Sequence, residues 1–392
     1  MPRSLLIAVF IGLALALGFG IHWYFWARLV RDTALPSPWR TLALGALIAL
    51  GLLLPTPMIL GRFSAQAARI VAWPAFVWMG LVLLLLLGLL GADLVRWAVV
   101  LLSSLGGVPL DPQRRLLLAR FFGGAAAATA TAFGALGVSN VLHPVARRDL
   151  EISLDRLPAS FDGTTIVQLS DIHVGPTIGR DFLTELVRRT NALEPDIVAI
   201  TGDLVDGPVA DLAHHIAPLA ELRARYGVFF VTGNHEYYSG ADEWIAELQR
   251  LGIRVLRNER VSVGSGADRF DLAGIDDYHS TGMAEGHGPD LPRALAGRDP
   301  ARELVLLAHQ PIAVLEASRH GVGLQLSGHT HGGQIWPWGY FVRLQQPYIV
   351  GLARHGATQI YVSPGTGYWG PPMRLGTRGE LTRIVLRTRS VS

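Results

Sequence analysis

Residues 164–173 read TTIVQLSDIH, an apolar and β-branched run, Thr165–Leu169, that ends on Asp171 and His173. The same arrangement recurs down the chain. Ile197–Ile200 precedes Gly202-Asp203, Val228–Val231 precedes Gly233-Asn234-His235-Glu236, Leu304–Leu307 precedes His309, and Leu324–Leu326 precedes Gly328-His329-Thr330-His331. Short apolar runs bounded by Gly and polar turns suit strands buried between layers. Parallel strands of this kind bring their carboxyl ends to one rim, where open α/β sheets hold ligands. Amphipathic stretches at Asp181–Leu193, Ala210–Arg225 and Asp242–Leu251 follow the first three motifs and predict a βαβ rhythm. Arg254–Arg257, Arg260–Val263 and Arg269–Ala273 read as shorter strands.

The motif residues suit cation chemistry. Asp171 and His173 lie two apart, so a regular strand would turn them to one face. Gly202 permits a tight turn that aims Asp203 outward. A carboxylate with two oxygens can bridge two cations, which an imidazole cannot. Asn234 adds a neutral carbonyl oxygen. The chain has no Cys, so only N and O donors are present, a set that fits Mn, Fe, Zn or Co. Two such ions about 3.5–4 Å apart can bind a phosphate, generate hydroxide near neutral pH and stabilise an in-line transition state. Singly, His309 reads as a hydrogen-bonded core histidine, and Asp203, Asn234 and His235 as turn residues. Jointly, seven potential ligands from five distant stretches are hard to assign to chance.

Composition separates the chain into two halves. Residues 1–150 carry 12 Arg against 4 acids, whereas the remainder carries 22 Arg against 27 acids. The basic balance therefore belongs to the apolar half, which excludes a nucleic-acid binder with a broad basic surface. A bilayer-crossing helix needs roughly 20 apolar residues. Leu5–Trp26, Leu42–Leu60, Ile70–Leu102 and Leu116–Leu142 qualify, and Trp23, Tyr24, Trp26 and Trp39 cluster as an interfacial belt would. Arg residues divide evenly between the two sides, so orientation stays open. Asp93 and Arg96, three apart in the third span, read as a local pair reaching the interface. Val145–Glu151 reads as a short linker.

The motifs, in full and in order, resemble those of the calcineurin-like metallophosphoesterase family, D-x-H, G-D, G-N-H-(E/D), H and G-H-x-H. The resemblance covers about residues 160–387. Gly328–Gln334, Ser363–Trp369 and Pro372-Met373-Arg374 further resemble its membrane-associated bacterial branch, which implies a bacterial cell membrane. The family implies a four-layer α/β/β/α sandwich and two divalent metal ions. One ion would sit at Asp171, His173, Asp203 and His331; the other at Asp203, Asn234, His309 and His329. His235 would contact the phosphate and protonate the leaving oxygen. The implied organisation is a transmembrane domain of about four helices over residues 1–144, a linker and first strand over 145–160, and the phosphoesterase domain over 161–392.

The expected activity is hydrolysis of a phosphodiester, phosphomonoester or pyrophosphate, with a lipid-linked substrate preferred and no nucleic acid; a membrane sensor whose phosphoesterase domain binds without turnover is the alternative. Asp206 is expected to orient a ligand, and Glu236 either to do the same or to serve a structural role. Arg374 is expected to grip a phosphate or form a surface pair. Trp336–Phe341, close after His331, is expected near the rim, contacting lipid or a ring, or else packing on the chain's own helices. Asp276, Asp277 and His279 read as an ordinary loop, and His214-His215 as solvated helix surface. Oligomeric state is not legible.

Overall fold

The computed structural model describes residues 3–107, 111–266 and 268–389, so the expected carboxyl-terminal limit at 392 lies outside the described residues. The chain forms two compact units, residues 1–138 and 139–392.

In the first unit, α1 (Arg3–Trp26) continues through a wider π turn at Ala27–Arg31. Helices α2 (Trp39–Leu53), α3 (Thr56–Gly61), α4 (Ala65–Leu105) and α5 (Pro112–Leu142) follow. Among the described residues, four stretches, Gly12–Arg31, Trp39–Gly61, Ala65–Leu105 and Pro112–Leu142, are long and apolar enough to cross a membrane. Helices suit that setting because their backbone polar groups bond within the segment. Asp93 is not simply a local partner of Arg96. Its Oδ2 accepts Arg28 Nε at 2.8 Å and the Tyr24 hydroxyl at 2.7 Å, while Arg96 stays 3.7 Å from Oδ1. The carboxylate thus ties the end of the first span to α4, a pairing that local spacing cannot reveal.

The second unit contains two six-stranded sheets. Strands β1 (Ala146–Leu154), β2 (Thr165–Leu169), β3 (Ile197–Thr201), β4 (Val228–Val231) and β5 (Arg254–Val255) precede β6 (Glu259–Ser265) and β7 (Asp268–Gly274). Then come β8 (Leu304–Leu307), β9 (Leu324–Ser327), β10 (Gly351–His355), β11 (Thr358–Val362) and β12 (Glu380–Thr388). One sheet runs β1-β12-β2-β3-β4-β5 and the other β10-β11-β9-β8-β7-β6. Strands β2 to β5 are mutually parallel, as are β7, β8, β9 and β11.

The period of two sorts each strand between layers. Ile197 and Ala199 face the core between the sheets, joined there by Val305, Leu307, Leu324 and Leu326. Val198 and Ile200 face outward onto α6 (Arg180–Asn191), α7 (Val209–Ile216) and α8 (Ala241–Arg250), through Leu183, Leu186, Leu212, Trp244 and Leu248. Leu304 and Leu306 pack under short helical turns carrying Leu291, Ala294 and Ala317. The result is the expected α/β/β/α sandwich.

Two local readings change. Val145–Glu151 is mostly strand rather than linker: β1 pairs in parallel with β12, and Ile152 and Leu154 enter the core between the sheets. Its Arg147-Arg148-Asp149 start is exposed, which disguised the alternation beyond it. His215 is buried rather than solvated, and its Nδ1 accepts the Arg180 N–H at the start of α6.

Because β1 belongs to the sheet, Ile152→Ala and Leu154→Ala are each expected to destabilise this unit by about 2–5 kcal/mol. The exposed Arg148→Ala should stay within about 0.5 kcal/mol. Urea unfolding monitored by tryptophan fluorescence checks both; equal, negligible effects would return the segment to a linker.

Candidate metal centre

The loops after β2, β3, β8 and β9 bring Asp171, His173, Asp203, His309, His329 and His331 together, and the loop after β4 sets the backbone on either side of Asn234, at Gly233 and His235, against Asp203. They are not held by regular strand geometry. Asp171, His173, Asp203, His329 and His331 all adopt left-handed backbone conformations, with φ between 51° and 71°. Each costs an L-residue on the order of 1 kcal/mol, so the packed layers must impose them. Two glycines make the loops fit. A Cβ at Gly233 would collide with Asp203 Oδ1, and one at Gly328 with Asp171 Oδ2 and Ser170 Oγ.

Asp203 lies at the middle. Its Oδ1 accepts the His235 backbone N–H at 2.9 Å. Its Oδ2 lies 3.2 Å from His309 Nε2 on one side and 3.8 Å from His173 Nε2 on the other. Glu236, fully buried, accepts the N–H groups of Asp203, Leu204 and Gly233 at 3.0, 2.7 and 2.6 Å. One side chain therefore fastens the β3 and β4 loops together. Burial and the neighbouring Asp203 charge raise its carboxyl to about 7, against the pull of those backbone bonds.

The donor set fits cations because acceptors face acceptors. His309 donates Nδ1–H to the Thr201 carbonyl at 2.8 Å, which leaves a lone pair on Nε2 aimed at the Asp203 oxygen. His173 Nδ1 is bonded to Asp206 at 2.9 Å, leaving Nε2 only 3.1 Å from His331 Nε2. His329 Nδ1 lies 3.2 Å from His309 Nε2. Asp171 Oδ2 and Asn234 Oδ1 are buried without a hydrogen-bond partner. Orphaned buried acceptors are costly. A cation on each side of Asp203 would satisfy both clusters.

The electrostatics of the side chains agree. Burial alone would lower the His309 imidazole, but Asp203 outweighs it and holds His309 well above the ordinary 6.5. Burial, with the neighbouring charges of His309 and His173 respectively, pushes His329 down to about 3 and His331 well below its usual value, so both present neutral nitrogen.

His235 differs in accessibility: its side chain is 14% exposed, whereas that of His309 is fully enclosed. Its Nδ1 lies 2.6 Å from Asp206 Oδ1, the same oxygen that holds His173. Burial alone would lower the imidazole, but the bond to Asp206 and the charge of Asp203 hold it at about 9. Conversely, burial would raise Asp206, while His173 and His235 draw it down to about 2.

Arg374 neither grips an open phosphate site nor forms a surface pair. Its guanidinium is buried and donates to the carbonyls of Gly367, Pro364 and His331, and to Thr377 Oγ1. It stiffens the His331 loop from behind. Burial lowers it to about 10, with Asp171 and Glu380 opposing. Asp276 and Asp277 are also not ordinary loop residues: Asp276 pairs with Arg257, and Asp277 accepts Gln310 Nε2 at 3.0 Å, tying its loop to the residue after His309. Trp336, Trp338, Tyr340 and Phe341 are exposed. Sequence reasoning assigned no role to Tyr238, Gln334 or Trp369, although the latter two sit inside stretches it quoted; only their nearness to the histidine motifs could have flagged them.

A four-layer sandwich with a buried His/Asp/Asn cluster at its strand ends defines a metal-site α/β hydrolase class. The calcineurin-like phosphoesterase family model matches residues 164–333. The chain is 44% identical over 289 residues to a transmembrane protein with metallophosphoesterase domain from Bos taurus, covering 71% of this chain and 64% of that one. It is 32% identical over 287 residues to the uncharacterized metallophosphoesterase YkuE of Bacillus subtilis, covering 70% of this chain and 98% of that one. An uncharacterized metallophosphoesterase of Helicobacter pylori is 40% identical over 242 residues, 61% of this chain and 63% of that one. The chain belongs to the calcineurin-like phosphoesterase family. It spans about three-fifths of the length of the cattle, zebrafish and Helicobacter relatives. Its relatives include animal as well as bacterial proteins, so the likeness extends beyond a bacterial branch.

Two outcomes follow. Cations must displace the protons held by His309 and His173, whose pKa values are raised. Because both protons are held above the ordinary histidine range, Mn affinity is expected to weaken as pH falls, with the loss already under way above that range, read by electron paramagnetic resonance titration. Gly328→Ala should lower bound metal, measured by elemental analysis, without unfolding the sheets seen by circular dichroism.

Proposed function

We propose that this protein is a membrane-tethered, dimetal phosphoester hydrolase. The observation that carries the reading is the pair of acceptor clusters meeting at the two sides of Asp203 Oδ2. We assign Asp171, His173, Asp203 and His331 to one ion, and Asp203, Asn234, His309 and His329 to the other. When bound, divalent ions would supply Lewis-acid activation of the phosphoester and of attacking water. Their identity among Mn, Fe, Zn and Co is a matter for experiment.

The remaining chemistry belongs to the chain. Asp203 sets the spacing of the two clusters. Glu236 holds its backbone, and Asp206 fixes the rings of His173 and His235. His235, partly open to solvent and protonated below about pH 9, donates its Nε2 proton to the departing oxygen. Asn234 contributes oxygen without charge, which lets an anion approach. Only residues 143–145 separate the last apolar helix from β1. This short tether supports a substrate carried at the bilayer, including a lipid-linked diester, monoester or pyrophosphate.

The test is hydrolysis of bis-p-nitrophenyl phosphate and p-nitrophenyl phosphate by the full-length protein in detergent, with Mn or with chelator. Turnover should require Mn and vanish in Asp203→Ala. His235→Ala should lose about 10²–10⁴-fold on esters with alkyl leaving groups, and less on nitrophenyl esters, whose leaving oxygen hardly needs a proton. Folded, Mn-loaded protein without turnover of any of these esters would favour the sensor reading.

A pH profile tests the proton donor. Because the His235 pKa is raised, its proton is present at low and neutral pH and is lost as pH rises through about 9. The alkaline limb of kcat/KM should fall there, and Asp206→Asn should move that limb to lower pH. An unmoved limb would remove His235 from this role.

A further inference from the structure

Accepting the proposed hydrolase reading, we infer that the site selects esters whose leaving group carries apolar surface beside the ester oxygen, and that Trp369 and Tyr238 form the seat for it. In that reading His235 is the group that meets the leaving oxygen. The Tyr238 ring stands 5.3 Å from the His235 ring at 70°, and the Trp369 ring 5.5 Å away at 73°. Both are largely exposed, Tyr238 at 65% and Trp369 at 54%. A leaving group bonded to the oxygen at His235 would lie within reach of these two rings. Its apolar surface would bury theirs.

The indole is exposed, but the backbone that carries it is held. Gln334 Oε1 accepts the Trp369 backbone N–H at 3.0 Å, and its Nε2 donates to the backbone carbonyls of Trp369 at 2.8 Å and Pro371 at 3.2 Å. Gln334 does this with φ 45° and ψ −59°, a positive-φ backbone outside the left-handed helical well and of the sort that persists where surroundings impose it. Two residues before the indole, Gly367 N–H donates to the Asp171 carbonyl at 3.0 Å, and the Gly367 carbonyl accepts Arg374 Nη2 at 2.6 Å. The loop presenting Trp369 is therefore bonded to the backbone of Asp171 itself. A loop whose backbone is fixed before the ligand arrives loses less freedom on binding.

The test is calorimetric titration of the full-length, Mn-loaded protein in detergent with methyl-, phenyl- and hexylphosphonate. In each, the substituent stands in for the leaving group while the charged head stays the same. Wild type should bind the phenyl or hexyl compound about 10-fold more tightly than the methyl one. Trp369→Ala should erase that preference, Tyr238→Ala reduce it, and Trp369→Phe retain most of it, all with unchanged Mn content. Phenyl well above hexyl would mark a ring-bearing leaving group; phenyl and hexyl alike would mark any apolar body, a lipid chain included. Equal affinity for all three in wild type, or a preference intact in the Trp369→Ala/Tyr238→Ala double variant, would overturn the inference. Failure to bind even methylphosphonate despite bound Mn would instead count against the phosphoesterase reading on which it rests.

Discussion

One buried carboxylate organises this protein. Asp203 points one oxygen at a backbone N–H and the other between two imidazole nitrogens that belong to separate clusters. Around it the fold crowds acceptors against acceptors, an arrangement that a protein interior does not tolerate unless something positive joins it. The pull of Asp203 on positive charge is seen in the His309 imidazole, which it holds well above its ordinary value. The same crowding explains why so many site residues accept left-handed backbones, and why glycine stands where any Cβ would strike a carboxylate.

The supporting structure is built to make that crowding hold. Two parallel stretches of sheet end at one rim, and three packed apolar layers fix their separation. Behind the rim, side chains that touch no reacting atom hold the loops. Glu236 gathers three N–H groups, Arg374 gathers carbonyls, and Gln310 joins the His309 loop to Asp277. In front, polarity gives way to the aromatic rings around His235. The enclosed half of the site is thus suited to charge and the accessible half to apolar matter.

The sequence was most legible where structure is local. Apolar runs gave β2, β3, β4, β8 and β9 almost to the residue, because buried parallel strands need continuous hydrophobicity. Strands β1 and β12 were harder. Their partners are each other, more than two hundred residues apart in sequence, and charged residues interrupt the start of β1. His215 and Asp277 were misread for a related reason: their burial comes from distant segments that pack over them. Arg374 looked like a phosphate ligand because an Arg beside a motif usually finds charge, yet here it finds carbonyls.

By itself the sequence determined the kinds of donor present, the apolar spans before them and the strand runs that deliver them, since these depend on composition and short periodicity. Only the tertiary structure decided that His173 faces His331 across 158 residues, that Asp203 stands between two clusters, and that Gln334 fixes Trp369 beside His235. Those relations are distances between segments brought together by a shared core. No local pattern encodes them.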